Sequence, residues 1–304
     1  MQFGVILPHR WHYASGPTIL EFATEAEALG YRSLWVTDHI IVPTYRTERG
    51  HIFYEALVTL AYVAAVTRQC LLGTAVLALP PRNAVLVAKQ VATLDALSQG
   101  RVVLGVGTGW VREELAALGA PWPQRGRMLD ESIKVLKELW GDVPSNSYSG
   151  KYTTYSDMSF FPKPAQKGGP KVLVGGMTEP SLRRAALLGD GWIPWAVSPQ
   201  ELKDGAARVR AYAGNKETET VCMMPVDINP GAMRRYTGVF GEDHRLLSGS
   251  VADLISMVAE FQEAGLQHMV CSFRDVRVFR DETAELMHAQ MRTFAHEVMP
   301  RFLG

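Results

Sequence analysis

The sequence predicts an α/β fold: a (β/α)8 TIM barrel formed by a single domain, residues 1–304, with an insertion at about 141–170. Three observations predict it. About eight short apolar runs alternate with helix-spaced segments, the order expected of such a barrel. The runs are nearly continuous in apolar residues, which is how a strand covered on both faces reads. Finally, Cys70 to Trp110 is a complete βαβ unit: apolar Leu71 to Leu79 halted by Pro80-Pro81, a helix capped by Asn83 and stopped at Gly100, then a second strand, Arg101 to Val106. A doubly wound open sheet is the other arrangement compatible with this alternation.

Each element has a local reason. Gln2 to Leu7 is the first strand, ended by Pro8-His9-Arg10. An amphipathic helix carrying Ile19, Phe22, Ala23, Ala26 and Leu29 follows and closes at Gly30. Tyr31 to Thr37 is the second strand, with Asp38-His39 at its C-terminal end. The loop Ile40 to Ile52 is long enough to be functional or disordered, and its Arg46 and Arg49 are read as solvated. Helix is expected from about Phe53 to Thr67, and after the βαβ unit from Met128 to Trp140. Gly141 to Pro170 is rich in Pro, Ser, Tyr and Thr and lacks the apolar residues for a core of its own, so it is read as an insertion with one hairpin. Strands Lys171 to Gly176, Gly191 to Trp195, Thr220 to Ile228 and His268 to Phe273 then alternate with helices Thr178 to Leu188, Pro199 to Ala213, Val251 to Ala264 and Asp281 to Arg301.

Composition narrows the function classes. The chain is 47% hydrophobic and 20% charged, with Lys+Arg and Asp+Glu both at 31, so no net charge is available to hold nucleic acid or a membrane surface. Three scattered cysteines, Cys70, Cys222 and Cys271, make neither a disulfide framework nor a metal cluster and read as buried thiols. With no secretory pattern and no apolar run of about 18 residues, a cytoplasmic location is expected.

In a barrel the chemistry lies on the loops after the strands. There the chain offers Pro8-His9, Asp38-His39, Ala75-Val76, Gly107-Thr108-Gly109, Gly175-Gly176-Met177-Thr178 and Trp195. This set lacks the carboxylate pair of a glycosidase and the ligands of a metal hydrolase. It suits a flat, largely apolar ligand that carries its own reactivity, hence a redox cofactor. His39 is either a proton donor and acceptor beside that ligand or a histidine oriented structurally by Asp38. Gly175-Gly176-Met177-Thr178-Glu179-Pro180 joins strand to helix with Thr178 as N-cap, and is either an anion site or an ordinary tight turn. Gly105-Val106-Gly107-Thr108-Gly109 lacks a third glycine in dinucleotide spacing. Trp110, Trp192 and Trp195 read as core aromatics bordering the site, and Glu113-Glu114 as carboxylates favoured by a first helical turn.

With these motifs in order, the chain resembles the luciferase-like monooxygenase superfamily, and within it the branch of oxidoreductases that use the deazaflavin coenzyme F420. The resemblance runs from the first strand to about Pro194 and rests on SLWVTDH, LGTAVLALPPRNAVLVAKQVATLDALSQGR, LGVGTGW and VGGMTEPSLRRAALLGDGWIP. It implies a barrel with an insertion, commonly dimeric. The cofactor ring would lie across the strand C-termini, backed by a bulge with a non-proline cis peptide at Ala75–Val76. Its tail and phosphate would run toward Gly107, Thr108 and Gly109 and toward Gly175, Gly176, Met177 and Thr178, with Asp38 and His39 beside the reactive edge.

One departure matters. Sugar-phosphate dehydrogenases of this branch place a catalytic glutamate after the fourth-strand G-x-G, where this chain has Trp110. Glucose 6-phosphate is therefore a poor expectation for the substrate. The resulting expectation is hydride exchange between F420 and a small organic substrate in a homodimer. The alternatives are a monooxygenase fed with FMNH2 by a partner flavin reductase, and a non-catalytic flavin-binding or storage protein.

Overall fold

The computed structural model describes residues 1–44, 52–230, 235–237, 243–273 and 283–303. Arg46 and Arg49, and the start of the expected last helix at Asp281, lie outside the described residues. Eight parallel strands close on themselves in chain order: Gln2–Ile6, Ser33–Val36, Leu71–Thr74, Val102–Gly107, Lys171–Gly175, Gly191–Ile193, Glu219–Ile228 and His268–Phe273. The long seventh strand closes the ring, pairing with the sixth at Glu219–Gly191 and with the eighth from Val221–His268 to Val226–Phe273. The eighth returns to the first at Gln2–His268. Helices on the outside follow each strand, so the barrel is the α/β fold that the alternation predicts.

Some boundaries differ from the sequence reading, each for a local reason. The third strand does not run unbroken to Leu79. It stops at Thr74, passes the cis Ala75–Val76 bond, and resumes at Leu77–Ala78 beside the fourth strand. The second helix begins at Ala56, because the Glu55 side chain caps it through the Val58 N–H and Phe53 is instead bridged to Arg10. The insertion holds the one expected hairpin, Asn146–Ser149 with Thr154–Met158, and the Glu131 carboxylate fastens it by accepting from the N–H groups of Lys151, Tyr152 and Thr153. A short antiparallel pair, Arg235–Thr237 with Asp243–Arg245, and a strand Leu247–Gly249 beside the seventh strand were not anticipated. The final helix, Ala284–Thr293, ends in a π turn, Phe294–Val298.

Alternation of side chains along the strands makes two cores. Phe3, Val5, Leu34, Val36, Leu72 and Leu104 face the helices. Ile6, Trp35, Val103, Leu173, Ile193, Val221 and Val270 fill the barrel. Trp35 is the bulkiest of these, and glycines on both flanking strands admit it. A Cβ on Gly73 would lie 2.1 Å from the Trp35 ring, and one on Gly4 would lie 2.9 Å from its Nε1. The indole N–H donates to Ser33 Oγ at 2.6 Å, and the hydroxyl pairs with His268 Nε2 at 2.7 Å. Burial lowers the His268 pKa to about 4, so the imidazole is a neutral partner in this network.

Among the described residues, no helix is long and apolar enough to cross a membrane. The three cysteines are buried and free.

Because the Trp35 ring occupies the space that a side chain would need, Gly73→Ala is expected to destabilise the fold by about 1–3 kcal/mol. A urea titration checks this; an unchanged midpoint would show that the interior is looser than the geometry implies.

Candidate active site

Residues at the C-terminal ends of the second, third, fourth and fifth strands form one assembly. At its centre is Val76, the second residue of the cis bond. A Cβ on Gly107 would lie 2.7 Å from Val76 Cγ2, and one on Gly175 would lie 3.1 Å from Val76 Cγ1. A Cβ on Gly105 would lie 2.1 Å from the Thr74 carbonyl oxygen. The glycines of the fourth and fifth strands thus make room for the bulge of the third. Val76 itself is half-buried and packs against the inner core, as does Trp195.

The expected phosphate turn has the geometry of a strand-to-helix entry. Gly176 has φ +111°, and Thr178 is the N-cap of Glu179–Leu187. The Thr178 hydroxyl pairs with Ser181 Oγ at 2.9 Å and makes no cap bond to the helix backbone. The Glu179 carboxylate is drawn toward Arg183, Arg208 and Tyr212. Met177 is exposed at this turn, Thr108 and Gly109 are half-exposed on the neighbouring loop, and Trp192 donates to the Gly176 carbonyl at 2.7 Å.

Asp38 and His39 are adjacent in sequence but serve different partners. Asp38 is buried; its Oδ1 accepts from Arg82 at 2.8 Å and its Oδ2 from the Ala78 N–H at 3.0 Å. Arg82 also reaches Glu55, at 2.9 Å. Burial pushes the Asp38 carboxyl pKa up against the Arg82 charge and the Ala78 amide, which favour the ionised form. Asp38 thereby ties the second-strand loop to the bulge.

The carboxylate that orients His39 is Glu114, not Asp38. Its Oε2 lies 2.8 Å from His39 Nδ1, and its Oε1 accepts from the N–H groups of Ile40 at 2.6 Å and Ile41 at 3.2 Å. Burial acts to raise the Glu114 pKa, but the hydrogen bond and charge of His39 and the two amides outweigh it, and the net shift is downward. An ionised Glu114 is acceptor-only, so the proton on Nδ1 faces it and Nε2 points elsewhere. Sequence reasoning placed Glu114 in a first helical turn, where it is, in Arg112–Ala117, without seeing that its side chain crosses to the second strand. The one local signal is its position, a helical turn after Trp110. Trp110 itself is 46% exposed and not in the core; Trp192 is fully buried.

His9 was also given no role. It is fully buried, with Nδ1 2.8 Å from the Leu7 carbonyl and Nε2 accepting from the Thr37 N–H at 3.1 Å. Burial first, then the neighbouring Arg10 charge, lowers its pKa to about 3. Phe53 meets the rings of His9 and His39 edge-on, at 5.5 and 5.2 Å between centroids. Among the described residues, no cluster of three or more His, Cys, Asp or Glu side chains is placed to hold a metal ion.

A closed parallel barrel with a cis-peptide bulge and an anchored imidazole at its mouth is the scaffold of an α/β barrel whose chemistry sits on the strand-end loops. Residues 1–234 match the family model for luciferase-like monooxygenases, and the chain belongs to that family. It is 35% identical over 211 residues, 67% of its own length, to an F420-dependent glucose-6-phosphate dehydrogenase of Amycolatopsis mediterranei (strain U-32), of which the aligned region spans 62%. It superposes on an F420-dependent secondary alcohol dehydrogenase in complex with an F420-acetone adduct with TM-score 0.76 and 21% identity, covering 95% of this chain and 98% of the other. Against monooxygenase RslO1 from Streptomyces bottropensis the TM-score is 0.81 at 18% identity, with both chains fully covered.

Two outcomes follow. In Glu114→Gln the amide N–H faces Nδ1, so the neutral ring should carry its proton on Nε2. Histidine 15N NMR at about pH 9, above the ordinary imidazole range, should show the His39 tautomer switching between wild type and variant, and the same tautomer in both would contradict the assignment. His9 and His268 are held neutral, so the unfolded chain takes up protons below pH ~6.5 that the fold refuses until pH 3–4. Stability should be complete above about pH 6.5, fall by about 1.4 kcal/mol per group per pH unit between there and pH 3–4, and level off below. Equal urea midpoints at pH 7.5 and 5.5 would refute this.

Proposed function

We propose that this protein is an oxidoreductase that uses coenzyme F420 to exchange a hydride with a small organic substrate, with His39 carrying the accompanying proton. The observation that carries the reading is the seat of Val76, an apolar, half-buried rest at the end of the third strand, together with an imidazole at the end of the second strand whose Nδ1 is held and whose Nε2 is left for a ligand. The F420-dependent names among the relatives and structural neighbours support the choice of cofactor.

The residues present fit such a group. A flat ring would rest on Ala75 and Val76, and the tail and phosphate would be taken by Gly107, Thr108, Gly109, Gly175, Gly176, Met177 and Thr178. When bound, a deazaflavin supplies two-electron hydride chemistry, since carbon stands in place of the flavin N5. This chain's residues do the rest. Glu114 fixes the imidazole tautomer; Nε2 of His39 accepts a proton from a hydroxyl when neutral or donates one to a carbonyl oxygen when charged. Asp38 acts through Arg82 and Ala78, as a positioning residue. A homodimer is the assembly we assign, since Val58, Tyr62 and Val66 form an exposed apolar line at four-residue spacing on and just beyond the helix Ala56–Ala64.

Fluorescence-quench titration with F420 and, separately, with FMN tests the cofactor. Low-micromolar F420 binding with weaker FMN binding is expected, and the reverse order would favour an FMNH2-fed monooxygenase with a reductase partner. His39→Ala should keep F420 binding while lowering turnover about 10²–10⁴-fold. Unchanged turnover would remove His39 from the chemistry.

A further inference from the structure

We propose that the substrate of this site is an uncharged, apolar molecule carrying one carbonyl or hydroxyl oxygen, held against an aromatic wall. The proposal deepens the oxidoreductase reading above and rests on its placement of the site.

The wall is built from four rings in series. His39 meets Phe53 at 5.2 Å and Trp110 at 5.7 Å between centroids, both edge-on, and Phe53 continues to Trp11 at 6.2 Å. Backbone contacts fix it: Arg10 and Phe53 form a bridge, the Trp11 N–H donates to the Ile52 carbonyl at 2.9 Å, and the Tyr54 N–H donates to the His9 carbonyl at 3.1 Å. Trp11 is held at φ 72°, a left-handed backbone that a bulky residue seldom adopts and that clusters at functional sites. Large apolar side chains remain exposed on the same loops: Ile40 at 44%, Ile41 at 52% and Trp110 at 46%. Apolar surface gathered at the mouth of a barrel gains by covering a ligand of its own kind.

Among the described residues, the polar chemistry is correspondingly sparse. The guanidinium of Arg10 donates to Thr37 Oγ1 and lies over Trp11, and that of Arg82 is shared between Asp38 and Glu55. Both are engaged within the loops. The Glu114 carboxylate is satisfied by His39, Ile40 and Ile41. What the dyad presents is one hydrogen-bonding atom, His39 Nε2, amid aromatic and aliphatic carbon. A single oxygen on an apolar body meets that demand. Among the described residues, a phosphate set against these rings would meet only guanidinium groups already engaged elsewhere and would be desolvated at a cost.

A series of methyl ketones from 2-butanone to 2-nonanone, titrated by tryptophan fluorescence into the protein with and without F420, tests this. Affinity should rise about threefold to fourfold with each methylene in the wild type. Trp110→Glu should bring the increment below twofold, and Trp110→Phe should retain it. A flat series in the wild type, an undiminished increment in Trp110→Glu, or tighter binding of glucose 6-phosphate than of 2-nonanone would overturn the proposal. Failure of F420 itself to bind would count against the cofactor assignment alone, because the ketone series on the unloaded protein is read independently.

Discussion

Val76 fills the room left by the missing side chains of Gly107 and Gly175, and the mouth of the barrel takes its form from that contact. With Val76 seated there, the third strand cannot continue straight. It re-enters the sheet at Leu77–Ala78, where the Ala78 N–H meets Asp38. Asp38 in turn holds Arg82, and Arg82 holds Glu55 at the start of the next helix. The loop after the second strand is thereby locked to the loop after the third, and His39 inherits its position from that lock. A side chain at either glycine would therefore disturb more than its own surroundings.

The second constraint is how the buried charge is divided. Glu114 is ionised within a mostly apolar site and satisfied by three donors, one of them the imidazole it orients. Such charge-assisted bonds are stronger and shorter than neutral ones, but their value here lies in choosing which nitrogen of His39 meets a ligand. His9, on the other side of Phe53, is the contrasting case. It is buried without a carboxylate and so kept neutral, with the Leu7 carbonyl and the Thr37 amide defining its tautomer. One imidazole is paired with a carboxylate at the edge of the mouth and the other is shut away as packing.

Much of the fold was legible because strands buried on both faces announce themselves by composition, and because Asn83, Gly30 and Gly100 punctuate the helices that follow or precede them. The cis bond at Ala75–Val76 was legible only through the resemblance of the surrounding motif, since nothing in the residue types Ala and Val demands it. The partnership of Glu114 with His39 was not legible. The two residues are 75 positions apart, and a carboxylate in a first helical turn already has a sufficient local explanation. Arg82 was hidden in the same way, behind a Pro-Pro signal that accounts for its neighbourhood as a turn. The contact of Gly107 with Val76 was not legible either, because a glycine near a site serves a ligand and a neighbouring bulge equally well.

The proposed function puts the chemistry on His39 and its support rather than on an acid facing the substrate, in keeping with Trp110 standing where sugar-phosphate relatives are expected to carry a carboxylate. The most direct test of that account is a crystal structure with F420 bound. It should show the deazaflavin ring in van der Waals contact, about 4 Å, with the Val76 side chain, and His39 Nε2 turned toward the ring's reactive edge while Nδ1 stays on Glu114. A ring bound away from Val76, or His39 released from Glu114 with its Nε2 turned from the ring, would contradict it.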